Sequence, residues 1–124
     1  MPFKIADSEL EIMRLLWREG RPLSFAEIRT ELEATTDWKK STIQTLVLRL
    51  RDKGAITAQN SYVALYTPNI SEEEYLRAEG QSFINKLFDG SAKKLAAALC
   101  RSGQLDEGDI DELKDYFKIG GDEQ

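Results

Sequence analysis

The residues best suited to chemistry lie between Trp38 and Gly54, in the run WKKSTIQTLVLRLRDKG. Ser41, Thr42, Gln44 and Thr45 offer short hydroxyl and amide groups. Lys39, Lys40, Arg49, Arg51 and Lys53 offer cations, against the single acid Asp52. Ile43, Leu46, Val47 and Leu50 recur at i, i+3, i+4 and i+7, the spacing of a stripe that a helix buries. The polar groups fall on the remaining faces, short ones in the first turns and cations in the last. A solvated helix usually mixes Glu with Lys. A helix biased this strongly meets an anionic surface, and its short polar groups can read a hydrogen-bonding pattern there. Gln can pair bidentately with adenine, and a Thr methyl packs on the methyl of thymine. Double-stranded DNA is therefore the leading partner. On this pattern the short polar side chains of the first turns are the ones suited to reading bases, while Lys39, Lys40, Ser41, Arg49, Arg51 and Lys53 contact phosphate.

Other chemistry finds little material. The chain has no His, which removes His-based triads and His metal sites. Its glycines form neither of the common phosphate-binding loops. Cys100, the one cysteine, has no His partner and reads as a small apolar residue of a helix. The carboxylates of 71–74 and 106–115 suit helix starts, where the positive end of the dipole favours them. The expectation is a non-enzyme without metal or cofactor.

The elements that must position these residues follow from period and caps. A first helix is expected from Ser8 to Glu19, with Ser8 and Glu11 as a capping box and an apolar stripe of Leu10, Met13 and Trp17 widened by Ile12 and Leu16. A second starts at Ser24, boxed with Glu27, and buries Phe25, Ile28 and Leu32. The third is the segment above, ending at Gly54. The period then changes to that of strands, 55–59 and 62–67, with Asn60-Ser61 as the turn and Pro68 as the stop. Three helices followed by a hairpin is the order of a winged helix-turn-helix. Beyond it, Ser71, boxed with Glu74, opens a long helix to about Phe88, Ser91–Cys100 forms a short one, and Asp106–Phe117 a last one. The fold class is mainly α with a small β-hairpin: a winged-helix DNA-binding domain over 1–68 and a helical dimerisation region over 69–124.

Charge divides along the same line. The net charge of −5 splits into +1 over 1–68 and −6 over 69–124. The front is the only plausible nucleic-acid surface, and the acidic, amphipathic back half suits self-association. Leu76, Phe83, Ile84, Leu87, Leu95, Leu99, Ile110, Leu113 and Phe117 are the apolar positions expected to make a homodimer. The wing, 55–68, carries no charge, so Tyr62 and its polar neighbours can only hydrogen-bond phosphate. There is no run of eighteen apolar residues and no signal-like start, which points to the cytoplasm and to no membrane insertion.

With these elements placed, the chain resembles the penicillinase-repressor family of winged-helix regulators, the BlaI/MecI type. The resemblance is carried by LEIMRLLW (10–17), the W-x-x-x-T-I-Q-T-L-x-x-R-L-x-x-K-G pattern (38–54), YTP (66–68), SEEEYL (71–76), FINKLFDGS (83–91) and DIDEL (109–113). It implies a homodimeric repressor on inverted-repeat operators, with Thr42, Gln44 and Thr45 at base-reading positions. It also implies a membrane-bound sensor protease as a further partner. Two departures stand out. Family members often follow the Trp with Ser-Pro; here Lys39-Lys40 stand there, which leaves Asp37 or Ser41 to cap the helix. The family's Asn-Phe scissile pair falls on Ala98-Leu99, and neither residue matches. The copper-sensing branch needs C-terminal cysteines that this chain lacks. The main rival is a winged-helix protein-interaction module without specific DNA binding, which the neutral wing favours.

Overall fold

A computed structural model describes residues 4–113. The order of elements is α1 (Asp7–Glu19), β1 (Leu23–Ser24), α2 (Phe25–Thr35), α3 (Lys40–Lys53), β2 (Ile56–Gln59), β3 (Leu65–Pro68), α4 (Glu72–Phe88) and α5 (Ala92–Arg101). Residues 107–113 are helical as well. The expected helix over Asp106–Phe117, and the dimerisation role of Phe117, lie partly outside the described residues. The chain forms two compact units, Met1–Glu79 and Gly80–Gln124.

In the first unit, α1, α2 and α3 close on one core. Ile12, Met13, Leu15 and Leu16 come from α1, Ile28 and Leu32 from α2, and Ile43, Leu46, Val47 and Leu50 from α3. Each is nearly or fully removed from water, and burying such a side chain contributes about 1.5–3 kcal/mol. Leu23, Ala55, Ile56 and Tyr66 complete the core from the strands. The long helix joins this unit through its first turns. Tyr75 is buried with its ring 5.6 Å from that of Trp17, whose indole N–H donates to the Ile70 carbonyl at 2.9 Å.

Three local expectations are corrected. The start of α1 is capped at Ala6, not Ser8: Glu9 Oε1 accepts the Ala6 N–H at 2.9 Å, so the acid that closes the first turn is Glu9 rather than Glu11. The hairpin does not turn at Asn60-Ser61. Gln59 stands opposite Leu65, which leaves residues 60–64 as a five-residue loop with Tyr62 fully exposed. Burial of Tyr66 opposite Ala58 sets this register, because a one-residue slip would turn the ring to the wrong face. The sheet also has three strands, not two. Leu23 and Ser24 pair antiparallel with Tyr66 and Leu65, giving the order β1-β3-β2. Ser24 serves this strand and caps α2 at once, accepting from Glu27 N.

In the second unit, α4 stops where Asp89 and Gly90 take positive φ, 51° and 81°. Ser91 Oγ then accepts from Lys94 N to open α5. Asp106 and Asp109 bond reciprocally to each other's backbone N–H and start the last helical run.

Candidate nucleic-acid interface

Helix α3 presents the expected face. Its four stripe residues are buried, while Ser41, Thr42, Gln44, Thr45, Arg49 and Arg51 are exposed. Its N-terminus differs from both capping alternatives. Lys39 is the N-cap residue, and no side chain caps the helix. The first intrahelical bond runs from Ile43 N to Lys39 O, so the N–H groups before it point outward without an intrahelical acceptor. No acid lies in the first turn. The end of the helix thus combines its positive dipole with the ammonium groups of Lys39 and Lys40, which suits an anion.

The turn leading there is held by Thr36, whose hydroxyl donates to Leu32 O at 2.7 Å and accepts from Trp38 N at 3.1 Å. The half-buried Trp38 packs against the core and anchors the chain just before the two lysines. At the other end Gly54 takes φ 83° and donates to the carbonyls of Leu50 and Arg51, a left-handed cap that favours glycine.

Ser41, Thr42, Thr45, Leu46 and Arg49 line a shallow hollow of about 290 Å³ on α3. Thr45 donates its hydroxyl to Ser41 O at 2.9 Å. Its proton is therefore engaged within the helix, and what it offers a base edge is its methyl group and an acceptor lone pair. Gln44 keeps both ends of its amide for recognition.

The distribution of free charge is the most telling feature. On α1, α2 and the turn between them, Arg14, Arg18, Arg21 and Arg29 each face a glutamate. Among the described residues, Lys39, Lys40 and Arg49 form no ion pair. Arg51 meets Asp52 at 3.2 Å, an exposed contact that a phosphate can replace. Lys53 is differently placed. Its ammonium is bonded to the Glu9 carboxylate and to the Lys4 carbonyl. Glu9 is only 2% exposed. Burial alone would raise its pKa, but the hydrogen bonds from Lys53 and the Ala6 N–H, with the charges of Lys53 and Arg49, outweigh that and hold it below the ordinary carboxylate value.

Glu9 is a site residue absent from the sequence expectations, although its spacing signals it: with Ile12, Met13 and Leu16 it occupies the i, i+3, i+4, i+7 stripe of α1. Asn69 was also overlooked. It donates to Gly54 O at 2.8 Å and accepts from Thr57 at 2.7 Å, while its N–H reaches Ala55 O, which ties the base of the wing to the end of α3.

The apolar positions set aside for self-association are displayed rather than enclosed. Leu76, Phe83, Leu87 and Leu113 are exposed large hydrophobics, and Ile84, Leu95, Leu99 and Ile110 are half-buried. No helix of the described residues is long and apolar enough to cross a membrane.

Comparison with known proteins places these features in context. The sequence profile described as "Penicillinase repressor" matches residues 5–119. The penicillinase repressor of Bacillus licheniformis is 35% identical over 111 residues, spanning 89% of this chain and 86% of that one. The penicillinase repressor of Staphylococcus aureus is 29% identical over 115 residues, 92% of this chain and 90% of that one. Among solved structures, the monomeric form of Bacillus licheniformis BlaI in complex with the blaP half-operator superposes with a TM-score of 0.54 at 39% identity, covering 60% of this chain and 92% of that one.

Proposed function

The chain belongs to the penicillinase repressor family, and from that premise we propose that it is a transcriptional repressor that binds an inverted-repeat DNA operator as a homodimer. Helix α3 enters the major groove with Thr42, Gln44 and Thr45 toward base edges. Lys39, Lys40, Ser41, Arg49 and Arg51 contact phosphate, and Tyr62 at the wing tip adds a neutral hydrogen bond to the backbone. The DNA-reading part spans 1–68, and the helices of 69–124 join two copies through Leu76, Phe83, Ile84, Leu87, Leu95, Leu99, Ile110 and Leu113. The observation that carries this reading is that, among the described residues, Lys39 and Lys40 at the uncapped N-terminus of α3, and Arg49 on its exposed face, form no ion pair, while Arg14, Arg18, Arg21 and Arg29 of α1, α2 and the turn between them face glutamates. A repressor of this kind works beside the chromosome, in the cytoplasm.

Family kinship also makes a membrane-bound sensor protease a partner. Ala98 and Leu99, at the place of the family's scissile pair, sit half-buried within α5, so cleavage there requires that helix to open first. The alternative of a protein-interaction module draws on the neutral, exposed wing tip, Tyr62-Val63.

Titration of the full chain against the duplex upstream of its own coding sequence, beside random duplex, separates the two readings. Operator binding should be tighter by about 10³-fold or more. Gln44→Ala should reduce the discrimination by about 1–3 kcal/mol per half-site while leaving random-duplex binding nearly unchanged. Equal affinity for both duplexes favours the interaction module.

A further inference from the structure

Lys53 stands at the end of the DNA-facing helix and has the charge of a phosphate contact, yet its ammonium points inward. It meets the carboxylate of Glu9, which is almost wholly buried, and the carbonyl of Lys4. Glu9 Oε1 also accepts the Ala6 N–H that starts α1. One carboxylate oxygen therefore ties three pieces together: the N-terminal arm, the first turn of α1 and the last turn of α3. Glu9 lies in a buried stripe, and Lys53, its side chain one-third exposed, continues one by spacing. Glu9 leads into Ile12, Met13 and Leu16, and Lys53 follows Leu46, Val47 and Leu50 at the same spacing.

We propose that Glu9 and Lys53 are positioning residues for DNA recognition: the pair clamps the C-terminal end of α3 to the start of α1 and so fixes the angle at which α3 meets the groove. Hydrophobic packing alone leaves a helix free to slide or roll slightly, because apolar contacts are non-directional. A charge-assisted hydrogen bond at the helix end has a defined length and direction. The far end of α3, with its uncapped N-terminus, then carries Lys39, Lys40, Thr42, Gln44 and Thr45 into place. Lys53 belongs to this clamp and not to the phosphate footprint. Arg49, whose charge also acts on Glu9, lies one turn earlier on α3 and keeps its exposure.

The proposal rests on the DNA-binding reading, and its test distinguishes the two. Operator affinity of the full chain is measured across a range of salt for the parent, Glu9→Gln and Lys53→Gln, with circular dichroism and a melting curve showing each to be folded at the assay temperature. Glu9→Gln removes a negative charge and frees Lys53. If Lys53 were a phosphate contact, this variant would bind as well as the parent or better. The clamp predicts the opposite: binding weaker by about tenfold with the slope of log K against log salt unchanged. Lys53→Gln keeps a donor for Glu9, so the fold has a substitute bond. The clamp predicts an unchanged salt slope here too, whereas loss of a phosphate contact in each of two protomers flattens it by up to about 1.8. Parent-like affinity in folded Glu9→Gln, or a flattened slope in Lys53→Gln, overturns the proposal. Failure of the parent itself to prefer its operator overturns the DNA-binding reading instead.

Discussion

Glu9 and Thr45 show how far the chemistry of a side chain depends on what surrounds it. Thr45 looks like a hydroxyl donor in sequence, but its proton goes to the Ser41 carbonyl, leaving methyl and lone pair for recognition. Glu9 looks like one more surface acid of α1, but it is buried against Lys53. Composition reveals neither partner, since Lys53 is 44 residues away from Glu9. Only the stripe position of each hinted at the pairing. The Glu9 pKa is lowered on folding, so its carboxylate stabilises the native state at pH above the ordinary value of 4.5 and ceases to do so as pH falls through the folded value. Glu9→Gln should accordingly be less stable than the parent near neutrality, by about 1–3 kcal/mol in chemical denaturation. The difference should shrink as pH falls below the ordinary carboxylate value and through the lower folded one. A gap of constant size down to acid pH would show that charge is not what the site contributes.

At the scale of elements, helices with a strong period were legible, and so were two of the three boxes at their starts, that of α1 being shifted to Ala6 and Glu9. The Ser24–Glu27 and Ser71–Glu74 boxes form as read, and the buried stripe of α3 is the one its spacing names. Short elements were not. A strand of two residues, β1, has too few positions to show alternation, and the wing's register depends on the distant burial of Tyr66 rather than on its loop. The cap of α3 was misplaced because neither Asp37 nor Ser41 is the residue at the helix boundary; Lys39 is. That missing cap costs stability and leaves the helix end open to an anion. Lys39→Ser would supply a capping oxygen while removing a cation. Stability should rise by about 1 kcal/mol, seen as a melting temperature higher by several degrees. Operator affinity should fall, with the salt slope flattened by up to about 1.8 for two protomers. A variant that is more stable and binds equally well would contradict the assignment of this end to phosphate.

Over the whole molecule, the two units differ in how well they satisfy themselves. Among its described residues the first has fifteen buried hydrophobic side chains, Tyr75 among them. Among the described residues of 80–113, none is buried, while Phe83, Leu87 and Leu113 stand exposed. A helical segment of this length without an enclosed core needs another surface to cover it. On the proposed reading a second copy supplies one, and linkage of two DNA-reading units then raises affinity by effective concentration. Leu87→Asp should therefore leave the first unit folded, shift the chain to a monomer in sedimentation, and weaken operator binding by about 10²-fold or more. A dimer that persists unchanged would remove Leu87 from the interface.

Two-fold symmetric reading of DNA sequence can be checked by selecting bound duplexes from a random pool with the full chain and sequencing them. The expected result is an enriched inverted repeat, with half-sites spaced by about one helical turn or a multiple of it. A pool without enrichment, or one enriched in a single half-site without its inverted copy, would contradict it.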